Sequence, residues 1–137
     1  MTSAKVHPRI SRMVKQQQKQ NQKVDAIQTK IKNPHLLNQA LTHRSYVNEH
    51  PDEKDNERLE FLGDAILGFL VGELLYEVYP DLNEAQLTRM RSALVNEKQL
   101  SKIAQELGIG DRIRLGKGAD RDGGRNNPAL LSDTLEA

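Results

Sequence analysis

The chain has no cysteine and no tryptophan, and three tyrosines and two phenylalanines are its only aromatic residues. Without cysteine, disulfides, thiolate zinc sites and cysteine nucleophiles are excluded, a composition that fits a reducing cytoplasm. No apolar run approaches the ~20 residues of a spanning helix, and nothing near Met1 reads as a secretory signal, so no membrane partner is expected. The four histidines, His7, His35, His43 and His50, form none of the Glu-x-x-His pairs of a di-iron carboxylate bundle, which sets that class aside.

What is present suits one soluble domain: 137 residues, 36% hydrophobic and 28% charged, enough for a single core. The net charge of +1 conceals a polar arrangement. From Met1 to Lys32 eight Lys/Arg oppose Asp25 alone, 8 − 1 = +7, whereas from Glu49 to Glu84 eleven Asp/Glu oppose Lys54 and Arg58, 2 − 11 = −9. Basic residues return at Arg112, Arg114, Lys117, Arg121 and Arg125. An acidic centre between basic flanks suits metal ions in the middle and a polyanion around them. A solvated charged surface has the same composition.

Residues 1–24 are basic and glutamine-rich and predict a flexible leader. Asn33-Pro34 opens a helix with Asn33 as N-cap, carrying Leu36, Leu37, Ala40 and Leu41 and ending near residues 42–45. A polar loop follows from Val47 to Asn56. The longest periodic stretch, 57–79, places Leu59, Leu62, Ile66, Phe69 and Leu70 on one face and stops at Pro80. Helices over 84–96 and 97–107 follow, the second closed by Gly108. Residues 109–125 form a glycine-rich connection, and Asn127-Pro128 repeats the Asn-Pro opening before a last helix over 129–137. The period is helical throughout, so the fold class is all-α.

Glu57, Glu60 and Asp64 recur three and four residues apart, within about 60° of one another on the helix. No basic residue shares that stripe. Asp133 and Glu136 repeat the spacing on the last helix. If the two helices pack, four carboxylates converge, a hard oxygen donor set suited to Mg²⁺, with Mn²⁺ as its substitute. An ion so held activates water near neutral pH and stabilises charge at a reacting phosphate. A bare acidic helix face accounts for the spacing equally well. Beside it, Phe61, Ala65, Gly68 and Gly72 form a stripe of small residues with one protruding ring. Two interior glycines, each costing ~1 kcal/mol relative to alanine, imply a packing reason, either a helix of the same chain or a partner.

The run NERLEFLGDA at 56–65 resembles the signature of the ribonuclease III family. Three further segments are similar to it in order and spacing: QALTHRSY at 39–46, RMRSALVNEKQLSKIAQELGIGDRIRLGKG at 89–118 and NPALLSDTLEA at 127–137. The resemblance implies a catalytic domain over 25–137 that forms a two-fold symmetric homodimer. The implied activity is Mg²⁺-dependent cleavage of double-stranded RNA to 5′-phosphate and 3′-hydroxyl ends, in rRNA and mRNA processing, with no small-molecule cofactor. Glu60, Asp64, Asp133 and Glu136 are the implied catalytic metal ligands, Glu57 and Glu84 accessory acids, and Phe61 the dimer plug. Arg89, Arg91, Arg112, Arg114, Lys117 and Arg125 are the candidate phosphate contacts. Family domains continue past the position of Glu136, and most bacterial members add a double-stranded RNA-binding domain. This chain is therefore expected to be cut short in its last helix and to bind RNA more weakly. The alternative is a dimer of the same fold that binds RNA without cutting it.

Overall fold

The computed structural model describes residues 30–137; the leader expected over 1–24 lies outside them. Seven α-helices run in order among the described residues: α1 (Pro34–Ala40), α2 (Arg44–Glu49), α3 (Glu57–Val78), α4 (Glu84–Leu94), α5 (Glu97–Glu106), α6 (Lys117–Arg121) and α7 (Pro128–Glu136). Short 3₁₀ turns at Ile109–Arg112 and Gly124–Asn126 interrupt the connection that the sequence left without structure. No helix among the described residues is long and apolar enough to cross a membrane.

The helix starts follow their capping residues. Asn33 accepts the amides of His35 and Leu36, and Asn127 those of Ala129 and Leu130, each with proline at the first position. Asn83 and Gln86 close a reciprocal capping box on α4, and Asn96 caps α5. Past α5, Gly108 takes a positive φ of 70°, the left-handed conformation expected of its closing glycine.

One departure concerns residues 40–49. The first helix stops at Ala40, and α2 forms inside the stretch expected as chain and loop. Long-range pairing is the cause. Thr42 is fully buried and makes a one-residue parallel bridge with Arg114. The His43 amide donates to the Arg114 carbonyl and the Arg114 amide to the Leu41 carbonyl, at 3.1 and 2.7 Å. A turn extended by this bridge cannot remain helical.

Arg114 also ties the loop before α3 to the domain. Its two Nη atoms donate to Glu53 at 3.1 and 2.8 Å, Nη1 also donates to Thr42 Oγ1, and its guanidinium lies 4.2 Å from the Tyr46 ring centre. Hydrogen bonds from Arg114 hold the Glu53 carboxyl below the usual range. Lysine cannot reproduce this fork over a ring. Arg114→Lys is expected to lose about 1–2 kcal/mol in urea denaturation; an unchanged midpoint would contradict that role.

The core is formed by Ala104, Ile113, Leu115 and Leu131, flanked by Ile109, Ala119, Leu130 and Leu135. It joins α5, the 113–115 segment and α7, while α7 also packs on α3 and α3 on α4. The apolar face assigned to α3 is not its buried side. Leu62, Ile66, Phe69 and Leu70 are 55%, 49%, 66% and 51% exposed, and Leu75 is the only buried residue of that helix. The helix is apolar around most of its circumference, so its periodicity does not select the buried side. Leu62, Ile66 and Leu70 instead line an open groove with Ile103 and Leu135.

Candidate metal centre and active site

Where α7 crosses α3, Glu60 meets both acidic residues of α7. Carboxylate oxygens of Glu60, Asp133 and Glu136 lie within 4.8 Å of one another, and all three side chains are half-buried. Asp64 stands outside this trio, yet among the charged neighbours its charge acts most strongly on Glu136. Glu57 is on the exposed rim, close enough to raise Glu60 and paired with Arg44 at 3.4 Å.

The approach of α7 depends on Gly63. A Cβ at this position would overlap the backbone carbonyl of Glu136. Sequence reasoning weighed Gly68 and Gly72 as the close-contact glycines, but Gly68 faces open space and Gly72 meets only the Arg91 side chain. An interior helix glycine between two of the carboxylates was the available signal. His43 and Glu97 were also missed: both act on the Asp133 carboxyl, in opposite directions.

Crowding of like charges shows in the acidities. Burial, then the charges of Asp64, Asp133 and Glu60, push the Glu136 carboxyl up to about 7. Burial, then Asp133, Glu57 and Asp64, raise Glu60. Burial and Glu97 raise Asp133, while His43 pulls it down. Three oxygen donors that resist carrying their charges together are a fitting set for a hard divalent cation, which would neutralise them.

A pH dependence follows for the metal-free protein. A carboxyl whose folded pKa exceeds its unfolded one contributes stability below the unfolded value and loses it as pH rises through the folded value. Between pH 5.5 and 8, Glu136 is expected to lower stability by about 1 kcal/mol, allowing for solvent screening of a part-exposed group. Glu53 acts oppositely, but its contribution is lost only as pH falls from the ordinary carboxylate range through its lowered pKa, outside this window. Melting in EDTA across the range measures the slope; a flat profile contradicts it.

The remaining candidates are dispersed. Glu84, in the first turn of α4, accepts from the Thr88 hydroxyl at 2.9 Å and lines a recess with Leu75 and Tyr76. Eleven positions separate Asp64 from Leu75, about 16 Å of helix, so Glu84 does not join the cluster within one chain. Phe61 is 80% exposed beside exposed Ala65. Arg89, Arg91 and Lys117 are exposed, and Arg112 is half-buried. Arg114 and Arg125, expected on RNA phosphates, are engaged within the chain. Arg125 pairs with Asp120 at 2.7 Å, and its Nη1 donates to the carbonyls of Gly110, Asp111 and Ile113. These bonds account for both groups as braces of the 110–125 connection.

The structure is an all-helical domain that packs two acidic helices across a glycine contact and gathers three carboxylates into a group that could hold a divalent cation. The family model described as ribonuclease-III-like matches residues 33–137. The chain belongs to the ribonuclease III family. It is 67% identical over 103 residues to a ribonuclease 3 of Nostoc sp., covering 74% of this chain and 45% of the relative. With ribonuclease 3 of Bacillus licheniformis it shares 46% identity over 134 residues, 96% of this chain and 54% of the relative. The chain thus spans about half the length of these curated relatives. It also resembles the nuclease domain of ribonuclease III from Campylobacter jejuni, with TM-score 0.76 and 43% identity, covering 83% of this chain and 78% of that one. That structure is described for flexibility in a region involved in dimer formation.

Proposed function

We propose that the chain is the catalytic domain of a Mg²⁺-dependent endonuclease that cleaves double-stranded RNA as a homodimer. Its products carry 5′-phosphate and 3′-hydroxyl ends, and it serves cytoplasmic processing of rRNA and mRNA precursors. The observation that carries this reading is the convergence of Glu60, Asp133 and Glu136, with Asp64 adjoining.

Glu60 and Asp64 from α3 and Asp133 and Glu136 from α7 would hold the ion, so that two helices rather than one supply its ligands. When bound, Mg²⁺ supplies an activated water near neutral pH and stabilises charge at the scissile phosphate. Mn²⁺ offers the same preference for oxygen donors. The Glu136 carboxyl surrenders its proton as the site fills, so apparent metal affinity rises with pH up to about 7 and flattens above it. Glu57 sits at the rim of the cluster, placed to orient the substrate. Of the candidate phosphate contacts, Arg89, Arg91 and Lys117 are exposed.

The exposed Phe61, followed by Ala65 and the unobstructed Gly68, supports a seam for a second copy. Phe61→Ala is expected to shift the protein toward monomer in sedimentation velocity; an unchanged distribution contradicts the seam. The function itself is tested with long, uniformly labelled duplex RNA and Mg²⁺. Shortening to 5′-phosphorylated fragments is expected. Gel-shift binding without shortening would favour a non-catalytic binder.

A further inference from the structure

We propose that Arg44 is a phosphate contact for RNA at the rim of the acidic cluster, carried with Lys117 on one rigid shoulder. This rests on the nuclease reading above and deepens it. Arg44 was not among the phosphate contacts expected from the sequence.

The place of the side chain is set by an ion pair. Arg44 opens α2, and its Nη1 donates to Glu57 Oε1 at 3.4 Å, the two side chains being 67% and 52% exposed. Glu57 stands three residues before Glu60 on α3, which puts their Cβ atoms about 5–6 Å apart on one helix face. The guanidinium therefore meets the acidic stripe one turn from the carboxylate that joins Asp133 and Glu136.

The backbone on both sides of Arg44 is pinned. The His43 amide donates to the Arg114 carbonyl and the Ser45 amide to His43 Nδ1, each at 3.1 Å. Ser45 Oγ accepts the Gly116 amide at 3.0 Å, and Glu49 accepts the Lys117 amide at 2.7 Å. The two segments touch so closely that a Cβ on Gly116 would overlap the Ser45 carbonyl. Arg44 and Lys117 each adjoin the Ser45–Gly116 bond in sequence, so one unit carries both, and both are exposed.

The pair with Glu57 does not account for such a placement. An exposed ion pair contributes little to stability, and this one engages a single nitrogen of a group with five N–H donors. Among the described residues the Arg44 guanidinium makes no other bond, whereas Arg114 and Arg125 spend theirs on several partners within the chain. A polyanion approaching Glu57, Glu60 and Asp64 is repelled, and a cation at the edge of that stripe offsets the repulsion. The planar fork of arginine suits two phosphate oxygens at once. On RNA binding the guanidinium exchanges the Glu57 carboxylate for a phosphate, and Lys117 takes another along the backbone.

The test is the salt dependence of duplex RNA binding by the full chain, followed by fluorescence anisotropy in EDTA. Each phosphate contact contributes about 0.9 to the slope of log affinity against log salt. Arg44→Gln is expected to flatten that slope by about 1 and to weaken binding about tenfold at 0.1 M salt. Its Mn²⁺ affinity without RNA should be no weaker than wild type, and its melting temperature within about 2 °C. Arg44→Lys keeps the charge and should keep the slope. Wild-type slope and affinity in Arg44→Gln overturn the proposal. So does a loss of affinity at unchanged slope, or a drop in melting temperature or Mn²⁺ affinity, either of which makes Arg44 a brace rather than a contact. If the slope flattens as expected but wild-type protein with Mg²⁺ leaves the duplex intact, the contact stands and the nuclease reading fails. A wild-type protein that binds no duplex RNA overturns both.

Discussion

Glu136→Gln is expected to abolish cleavage of duplex RNA, by at least ~10³-fold at saturating Mg²⁺, while binding to the same RNA persists. The substitution preserves shape and removes one negative charge from a trio whose oxygens lie within 4.8 Å. A metal ion contributes several kcal/mol of charge stabilisation to phosphoryl chemistry, and each 1.36 kcal/mol is a factor of ten in rate. RNA binding depends mainly on cations meeting phosphates, which Glu136 does not supply. The same variant carries an opposite signature without metal. Glutamine ends the repulsion that pushes this carboxyl up to about 7, so metal-free Glu136→Gln should melt above wild type at pH 8. Cleavage that survives, or a metal-free protein no more stable than wild type, would show that Glu136 is neither a ligand nor crowded.

Gly63→Ala is expected to do comparable damage from a residue that supplies no ligand atom. The added Cβ would overlap the Glu136 carbonyl, which is backbone and cannot rotate away. Overpacking of this kind costs about 2–3 kcal/mol, more than the ~1 kcal/mol alanine gains as a helix former. The less costly response is for α7 to withdraw from α3, separating Glu136 and Asp133 from Glu60. Cleavage should fall by ~10²-fold or more, and Mn²⁺ binding in calorimetry should weaken with it. Gly68→Ala is the control: it meets open space, so its Mn²⁺ affinity should match wild type. Equal affinities for Gly63→Ala and Gly68→Ala would contradict the role of the close crossing.

The shared face of each acidic pair was legible because both keep a three- or four-residue step, whereas the packing of α3 on α7 that brings Glu60 to Asp133 and Glu136 entered only as a condition. The Asn-Pro openings and Gly108 were legible for the same local reason: capping chemistry depends on neighbours in sequence. The buried side of α3 was not, because an apolar residue stands on nearly every face and tertiary packing decides among them. Nor was α2, whose placement follows from Thr42 meeting Arg114 across 72 positions. The intrachain partners of Arg114 and Arg125 were not legible for a related reason. A basic residue near an expected polyanion site looks available in sequence, whereas Glu53 and Asp120 bind these two in the fold.

The central claim is that carboxylates from two helices grip one divalent cation site. Crystals of the full chain grown with Mn²⁺, with data collected at the manganese absorption edge, test it most directly. The account predicts an anomalous peak bounded by Glu60, Asp133 and Glu136, with Asp64 alongside. A peak elsewhere, or none at this crossing in a protein that still cleaves RNA with Mn²⁺, would contradict it.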